Sequence, residues 1–447
     1  MGAFDGERAV VVGAGVAGSA AAEVLLAEGA DVRVTDERPR EQLPVRELEA
    51  AGAEVRAGGH DPADLEGATL VLASPGVAPD APVLRWAAAA GLPVWGEMEL
   101  GARLAQAPYV AVTGTNGKTT TTGMIGACLR ASGLDAIECG NIGRSFPRAA
   151  REGHDVLVVE VSSFQLATQE SFHPKVSVLL NVAPDHLDWH GSYDAYVDAK
   201  ALVHANQAGG DHHVGNRDDA SAAVSKQATC PVTWFRLGAP SEGEVGYENG
   251  ELVARLGATE RLGRIQPRRT GYLANAAAAA AAALAFGVPP DAVTSGLSGY
   301  EPPSHRGEVV AAVAGVRFID DSKATNVHAA VAAIGSVERA VLIAGGRAKG
   351  QDLSALGTVA ERLVGVVAIG ESAEDVVRAF EGKVQVARED TLEQAVRAAF
   401  WMASEGDAVL LAPACASWDM FTDYTERGER FAEAARLLAG EVNGARA

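Results

Sequence analysis

Apolar residues in this chain fall in short runs that stop at a glycine or a polar residue, and each run is followed by an amphipathic or alanine-rich stretch. Such runs suit strands buried on both faces, and the stretches between them suit covering helices, so the alternation predicts α/β architecture with parallel sheets. Three segments separate. Residues 1–96 carry expected strands at Ala9–Val12, Asp31–Thr35, Thr69–Ala73 and Leu92–Trp95, with a helix over Ser19–Ala27. Residues 97–302 carry strands at Tyr109–Val112, Val156–Glu160 and Val176–Asn181, a helix from Thr119, and a polar, glycine-rich stretch over 206–269 expected to hold β-structure. Residues 303–447 carry strands at Val316–Ile319, Ala340–Ala344, Val364–Ile369 and Ala408–Leu411. Pro302-Pro303 is a stiff junction, and hinges are expected near Gly96 and Pro302. The eight alanines Ala276–Ala283 predict a helix packed closely on a sheet.

Composition narrows the class. At 447 residues the chain exceeds a single core. Its net charge of −20 excludes a nucleic-acid binder held by a broad basic surface, but not small anions bound by local lysines and backbone amides. The four cysteines are scattered without a CxxC, which fits a reduced compartment. No run is long enough to span a bilayer, and the start lacks a signal-peptide pattern, so a cytoplasmic protein is expected.

Two glycine loops compete for the functional reading. The first, Gly13-x-Gly15-x-x-Gly18, follows a strand, precedes a helix, and is followed by Asp36 after the next strand. That pattern places a diphosphate at a helix N-terminus and by itself suggests an NAD-dependent dehydrogenase. The second is Gly114-Thr115-Asn116-Gly117-Lys118-Thr119-Thr120, again between a strand and a helix. Its glycines bring backbone N–H groups close to a phosphate chain. Lys118 can reach the terminal phosphates, and the Thr119 hydroxyl can bind Mg²⁺. The spacing is G-x-x-G-K-T, shorter than the Walker pattern. Glu160 closes one strand and His186 follows another, so both fall at the sheet edge where ligands of parallel sheets gather. Glu160 there suits Mg²⁺. His186 and His190 lack the helix and intervening Glu of a zinc motif, and His212-His213 is expected to be an exposed loop pair.

Read together, GTNGKTT, EVSSFQL, NVAPDHLDWHGS, DDSKATN and APACASWDMF resemble the Mur ligase family, in order and over essentially the whole chain. DDSKATN and PACASWD narrow the resemblance to its D-glutamate-adding branch. The resemblance implies a Rossmann-like N-terminal domain for a UDP-substrate, a central P-loop-type ATP-binding domain, and a Rossmann-like C-terminal domain for an amino acid. It implies an ATP-dependent ligase of peptidoglycan precursor synthesis that joins D-glutamate to UDP-N-acetylmuramoyl-L-alanine through an acyl phosphate. Residues 114–120 would cradle ATP, with Asn275, Arg306 and Asp321 completing its site. Thr119, Glu160, His186 and a carbamylated Lys200 would hold two Mg²⁺ ions. Lys323, Thr325, Lys349, Ser417 and Tyr424 would border D-glutamate. The N-terminal glycine loop then holds UDP rather than NAD, through Gly15, Val16, Ala17, Asp36, Glu37, Arg38, Ser74, Pro75, Gly76 and Asn141. A monomer acting on small molecules, without nucleic acid or membrane insertion, is the matching expectation.

One departure stands out. Gly271 and Tyr272 occupy the places where the family often has a His-Asn pair before the retained Asn275. The alternatives are a sibling Mur-type or folylpolyglutamate synthetase-like ligase, the dehydrogenase, and a nucleotide-binding regulator without turnover. The dehydrogenase leaves GTNGKTT and DDSKATN without a role. A regulator would not need Glu160, His186 and Lys200 together.

Overall fold

The computed structural model describes residues 2–266 and 270–444; the last residues of the polar stretch, 267–269, lie outside the described residues. Among those described, the strands form three sheets. The first contains β1 (Arg8–Val12), β2 (Asp31–Asp36), β3 (Glu54–Ala57), β4 (Leu70–Ala73) and β5 (Val94–Gly96), all parallel, in the order 3-2-1-4-5. β1 is flanked by β2 and β4, so the chain order reverses there, and a crevice opens beyond its carboxyl end.

The second sheet has nine strands: β6 (Tyr109–Thr113), β7 (Ala136–Gly140), β8 (Val156–Glu160), β9 (Val176–Leu179), β10 (His212–Asn216), β11 (Val232–Phe235), β12 (Glu244–Glu248), β13 (Glu251–Leu256) and β14 (Ala258–Arg261). Their order is 14-13-12-11-10-9-6-8-7, parallel from β7 to β12, with β12–β13–β14 an antiparallel meander. β6, between β9 and β8 and third from the β7 edge, is buried along its whole length and leads into the second glycine loop.

The third sheet contains β15 (Glu308–Val313), β16 (Val316–Asp320), β17 (Ala340–Gly345), β18 (Leu363–Ile369), β19 (Val386–Arg388) and β20 (Ala408–Leu411), in the order 15-16-20-17-18-19, with only β15 antiparallel to its neighbour.

The α/β class is as expected, and the departures share a place. The strands missing from the sequence reading outside the polar stretch, β3, β7, β15 and β19, all lie on sheet edges. In β3, β7 and β19 a charged residue cuts the apolar run short, as a half-solvated edge allows, whereas β15 keeps an unbroken run over 309–313 that the sequence reading did not include. The run Val176–Asn181 leaves the sheet at Leu179 because Leu180 and Asn181 turn to bond the phosphate loop. The expectation for His212-His213 is overturned: both lie in β10, and His213 is fully buried. Its Nδ1 faces Ser177 Oγ at 2.7 Å, its Nε2 faces Ser225 Oγ at 2.9 Å, and its ring meets that of His204. Burial, with the nearby His204 and His212, keeps it neutral well below the ordinary range.

Ala276–Ala283 lie in the helix Thr270–Phe286 and are all fully buried, as a helix apolar on every side should be. The described chain divides into two compact units. One is Met1–Val182, Asp194–Ile265 and Asn275–Tyr300; the other is Ala183–Tyr193, Gln266–Ala274 and Glu301–Ala447. Among the described residues no helix is long and apolar enough to cross a membrane.

Candidate active site

In the first unit the chain between β6 and the helix Lys118–Ala131 makes a tight loop. Gly114 (φ +154°) and Gly117 (φ +88°) take conformations that side chains rarely adopt. A Cβ on Gly117 would stand 2.3 Å from Asn275 Oδ1, so this position also needs glycine for room, and Asn275 is packed directly against the loop. The loop is fixed from the neighbouring strand. Thr115 N–H donates to Asn181 O and Asn116 N–H to Asn181 Oδ1, both at 2.9 Å, and Asn181 Nδ2 returns a bond to Asn116 O at 3.0 Å.

Two lysines converge on the same loop. Lys118 Nζ donates to Gly114 O at 2.8 Å and Thr115 O at 3.1 Å. Lys200, only 1% exposed, donates to Gly114 O at 3.0 Å from the helix Tyr193–Ala201. One turn earlier on that helix, Tyr196 meets Thr115 Oγ1 through its hydroxyl at 3.0 Å, and its ring lies 4.7 Å from Lys200 Nζ. A positive pair of side chains at the start of a helix is a strong anion field.

Glu160, at the end of β8 beside β6, is buried. Its Oε1 accepts from Asn141 Nδ2 at 2.9 Å, and its Oε2 has no hydrogen-bond partner among the described residues. An orphaned buried carboxylate oxygen beside a phosphate loop suits a divalent cation. Among the described residues no three His, Cys, Asp or Glu gather as a self-sufficient metal cage. That fits Mg²⁺, which takes one or two protein ligands and completes its shell with phosphates and water. Thr119, in the first turn of the loop's helix, is the hydroxyl partner available for it.

The N-terminal loop is built on another principle. Gly13 has φ +92°, and a Cβ on Gly18 would lie 1.9 Å from Gly13 O, whereas a Cβ on Gly15 would meet nothing within 4 Å. Gly13 and Gly18 are therefore required by the fold, and Gly15 leaves open space at the start of the helix Val16–Ala27, where Val16 is 92% exposed. Asp36 is buried behind this loop. Its carboxylate accepts from Ala14 N–H at 2.7 Å and three times from Arg38, at 2.8–2.9 Å. Burial pushes this carboxyl up, but the bonds from Arg38 and Ala14 outweigh it and hold it at about 2. With its oxygens so engaged, Asp36 positions the loop and Arg38. A cavity of about 910 Å³ opens here, lined by Gly15, Val16, Ala17, Glu37, Arg38 and Ser74-Pro75-Gly76 among others. Of the expected UDP residues, Asn141 alone is not part of this lining and stands with Glu160 instead.

In the second unit, three loops leave the carboxyl ends of adjacent strands β16, β20 and β17. They carry Asp321, Lys323 and Thr325; Ser417; and Lys349. Backbone bonds lace them together, from Ala414 N to Ala324 O at 2.9 Å and reciprocally between Arg347 and Ala416. Lys323 Nζ lies 3.8 Å from the Tyr424 ring centroid. Lys349, at φ +54°, pairs with Asp185 at 3.4 Å, and Asn326 Nδ2 reaches the other Asp185 oxygen at 3.3 Å. His186 follows Asp185 in this same unit, with its own φ at +53°, and Arg306 lies just ahead of β15. Sequence reasoning missed Asn181, Tyr196 and Arg427, and noted Ser322 only as one of the polar residues after β16. For Tyr196 the signal was present, four residues before Lys200 and so on the same helix face.

The fold and these loops define a class: an α/β enzyme with a phosphate-loop-like turn at the end of a buried strand of its middle sheet and a second glycine loop on a separate parallel sheet. Comparison with known proteins makes this specific. Residues 7–96 match the Mur ligase MurD-like N-terminal domain, 112–283 the Mur ligase middle domain, and 305–415 the Mur ligase glutamate ligase domain. The UDP-N-acetylmuramoylalanine--D-glutamate ligase of Streptomyces avermitilis is 43% identical, over 97% of this chain and 99% of the relative. The enzyme of that name from Frankia casuarinae is 44% identical over 96% and 94%. Among solved structures, the MurF ligase of Thermotoga maritima in complex with ADP shares the fold at TM-score 0.60 and 18% identity, covering 93% of this chain and 96% of that one. The UDP-N-acetylmuramate-alanine ligase MurC of the same organism does so at 0.58 and 19%, covering 96% and 99%. The chain belongs to the Mur ligase family, and it is an ATP-dependent ligase that forms amide bonds.

Proposed function

We propose that this chain joins D-glutamate to UDP-N-acetylmuramoyl-L-alanine, with ATP, in the synthesis of peptidoglycan precursors. The observation that carries this reading is the near full-length similarity, at 41–44% identity, to relatives bearing that activity in their names. In this reading the N-terminal cavity grips the nucleotide end of the substrate, with the open space at Gly15 admitting its diphosphate and Arg38 alongside. The loop at 114–120 holds ATP, with Asn275 against it; Arg306 and Asp321 are the further residues that the family resemblance assigns to the nucleotide. Lys118 turns from its own carbonyls to the phosphates. The substrate carboxylate attacks the γ-phosphorus and ADP leaves. The amine of D-glutamate then attacks the acyl carbon, loses a proton, and inorganic phosphate leaves. Such a reaction depends on positioning and on stabilising charge.

Mg²⁺, when bound, neutralises charge on the phosphate oxygens. Thr119 and Glu160 would hold one ion, and His186 with a carbamylated Lys200 a second. A carbamate forms when the Lys200 amine adds to CO₂ and loses a proton. It replaces a buried cation beside the phosphate loop with oxygen donors, which suits a metal where an ammonium does not. Lys323, Thr325, Lys349, Ser417 and Tyr424 would receive the dicarboxylate, whose charges need cations and hydroxyls.

The test is phosphate release by the full chain with ATP, Mg²⁺, UDP-N-acetylmuramoyl-L-alanine and either glutamate isomer. Release with the D isomer alone is expected; release with L-glutamate or another amino acid alone would assign a sibling activity. Run with ¹³C-bicarbonate, the same protein should show a carbamate carbon signal that is lost in Lys200→Ala together with turnover. A fully active Lys200→Ala would remove the carbamate from the reading.

A further inference from the structure

Among the described residues the largest fully buried side chain is an arginine. Arg427 lies on the helix Tyr424–Gly444, three residues after Tyr424, and is 1% exposed. Among the described residues it makes no ion pair. Its guanidinium donates from Nε to Ser322 Oγ at 2.9 Å, and from its two terminal nitrogens to Ser322 O at 2.7 Å and Cys415 O at 3.1 Å. Ser322 Oγ donates onward to Tyr424 O at 2.8 Å, returning the network to the helix that carries Arg427. Burial depresses its pKa to about 10, against the opposing pull of Cys415, Asp419 and Asp320 nearby.

A guanidinium buried on neutral acceptors is a costly way to fill space, since apolar side chains fill it without desolvating a charge. Its planar fork can, however, fix three acceptors in one plane, which lysine cannot. Here those acceptors belong to two loops from neighbouring strands, β16 and β20. Ser322 is followed directly by Lys323, and Cys415 precedes Ser417 by two residues. Tyr424, whose ring takes the Lys323 ammonium, opens the same helix. Three of the groups proposed to receive the amino acid are thus tied to one hidden side chain that itself faces no solvent.

We infer that Arg427 is a positioning residue for the amino-acid substrate: it sets the separation of Lys323, Ser417 and Tyr424 and so tunes affinity for D-glutamate without touching it. This rests on the D-glutamate reading above.

The experiment is steady-state kinetics of the full chain, varying each substrate in turn, for Arg427→Lys and for Ser322→Ala, which removes only one acceptor and is the milder change. Arg427→Lys is expected to raise KM for D-glutamate about tenfold to a hundredfold, as loops displaced by about an ångström would, with KM for ATP and for the UDP-substrate unchanged. Ser322→Ala should raise the same KM less, and the double variant should fall short of the product of the two effects, because they share one network. An unchanged KM for D-glutamate, or an equal loss on all three substrates, overturns the proposal even if the melting temperature falls. If Arg427→Lys does not fold, Ser322→Ala decides by the same criteria. A wild-type protein that turns over another amino acid overturns the D-glutamate reading alone, and KM for that amino acid becomes the compared quantity. Should the wild type show no turnover, amide exchange decides: faster exchange confined to residues 321–326 and 414–418 in Arg427→Lys supports the clamp, and unchanged exchange there overturns it.

Discussion

The loops Gly13–Gly18 and Gly114–Thr119 follow strands with buried apolar residues, turn on glycines at positive φ, and feed helices of 12 and 14 residues. Behind the first stands a buried carboxylate, Asp36, which holds the backbone of Ala14 and draws Arg38 into place. The second is held by an amide, Asn181, and receives two lysine ammoniums, Lys118 and Lys200. A carboxylate backing makes a rigid seat with a fixed negative charge behind it, suited to gripping an anion that does not react. Amide backing with a flexible cation, Lys118, can follow charge as it moves from one oxygen to another, which phosphoryl transfer requires. On the proposed reading the same supersecondary unit is a grip in one place and a reaction centre in the other, and the difference lies in the groups that back the glycines.

The sharpest way to break this comparison is to remove the cation from each loop. Lys118→Ala should lower kcat for phosphate release by about a hundredfold to a thousandfold or more at saturating substrates, the scale of losing one preorganised charge contact. Arg38→Ala should mainly raise KM for the UDP-substrate and leave kcat largely intact. If both variants lose kcat alike, the distinction between grip and reaction centre fails.

The next contrast lies within the N-terminal loop. Gly18→Ala places a Cβ against Gly13 O and should cost about 1–3 kcal/mol of stability, read as a lower urea midpoint. Gly15→Ala has an ordinary φ of −72° and open space, so its stability should match wild type. Its KM for the UDP-substrate should still rise about tenfold, the scale of one misplaced methyl group in a pocket. Equal destabilisation by both would remove Gly15 from the ligand's side of the loop.

The smallest effect concerns acid. Asp36 has a folded pKa of about 2 against an ordinary 3.8, so its contribution is present above about pH 4 and is lost as pH falls towards 2. The stability gap between wild type and Asp36→Asn, followed by urea unfolding, should therefore close over that window. A gap that stays constant from pH 6 to pH 2.5 would show that Asp36 is not the charged backing of the loop.

Both glycine loops, the strands feeding them, Glu160 and Lys118 were legible in the sequence, because buried parallel strands are written as unbroken apolar runs and strand-end loops must be rich in glycine and polar residues; Lys200, Lys323 and Lys349 drew their roles only from the family resemblance. Of the four missed edge strands, β3, β7 and β19 lack such runs, and β15 has one that was passed over. His212-His213 looked like a surface pair because two adjacent polar residues carry no sign of burial. The folded chain hides His213 by giving its ring nitrogens two serine hydroxyls from residues 36 and 12 positions away in sequence. Arg427 was invisible for a related reason: an arginine in a charged helix reads as solvated unless the acceptors that bury it, contributed by loops far away in the chain, are known.

The sequence by itself determined the α/β class, the order of its segments, the two glycine loops and the residue types able to hold phosphate, metal and a dicarboxylate. Those are local properties, set by periodicity and by the chemistry of consecutive residues. The tertiary structure alone decided that Asp36 backs its loop, that Asn181 and Tyr196 brace the phosphate cradle, that Glu160 keeps one oxygen open, and that Arg427 ties two loops together. Each of these depends on which distant groups meet where water is excluded, since a charge or amide that is inconsequential in solvent becomes a strong constraint once its partners are fixed and buried.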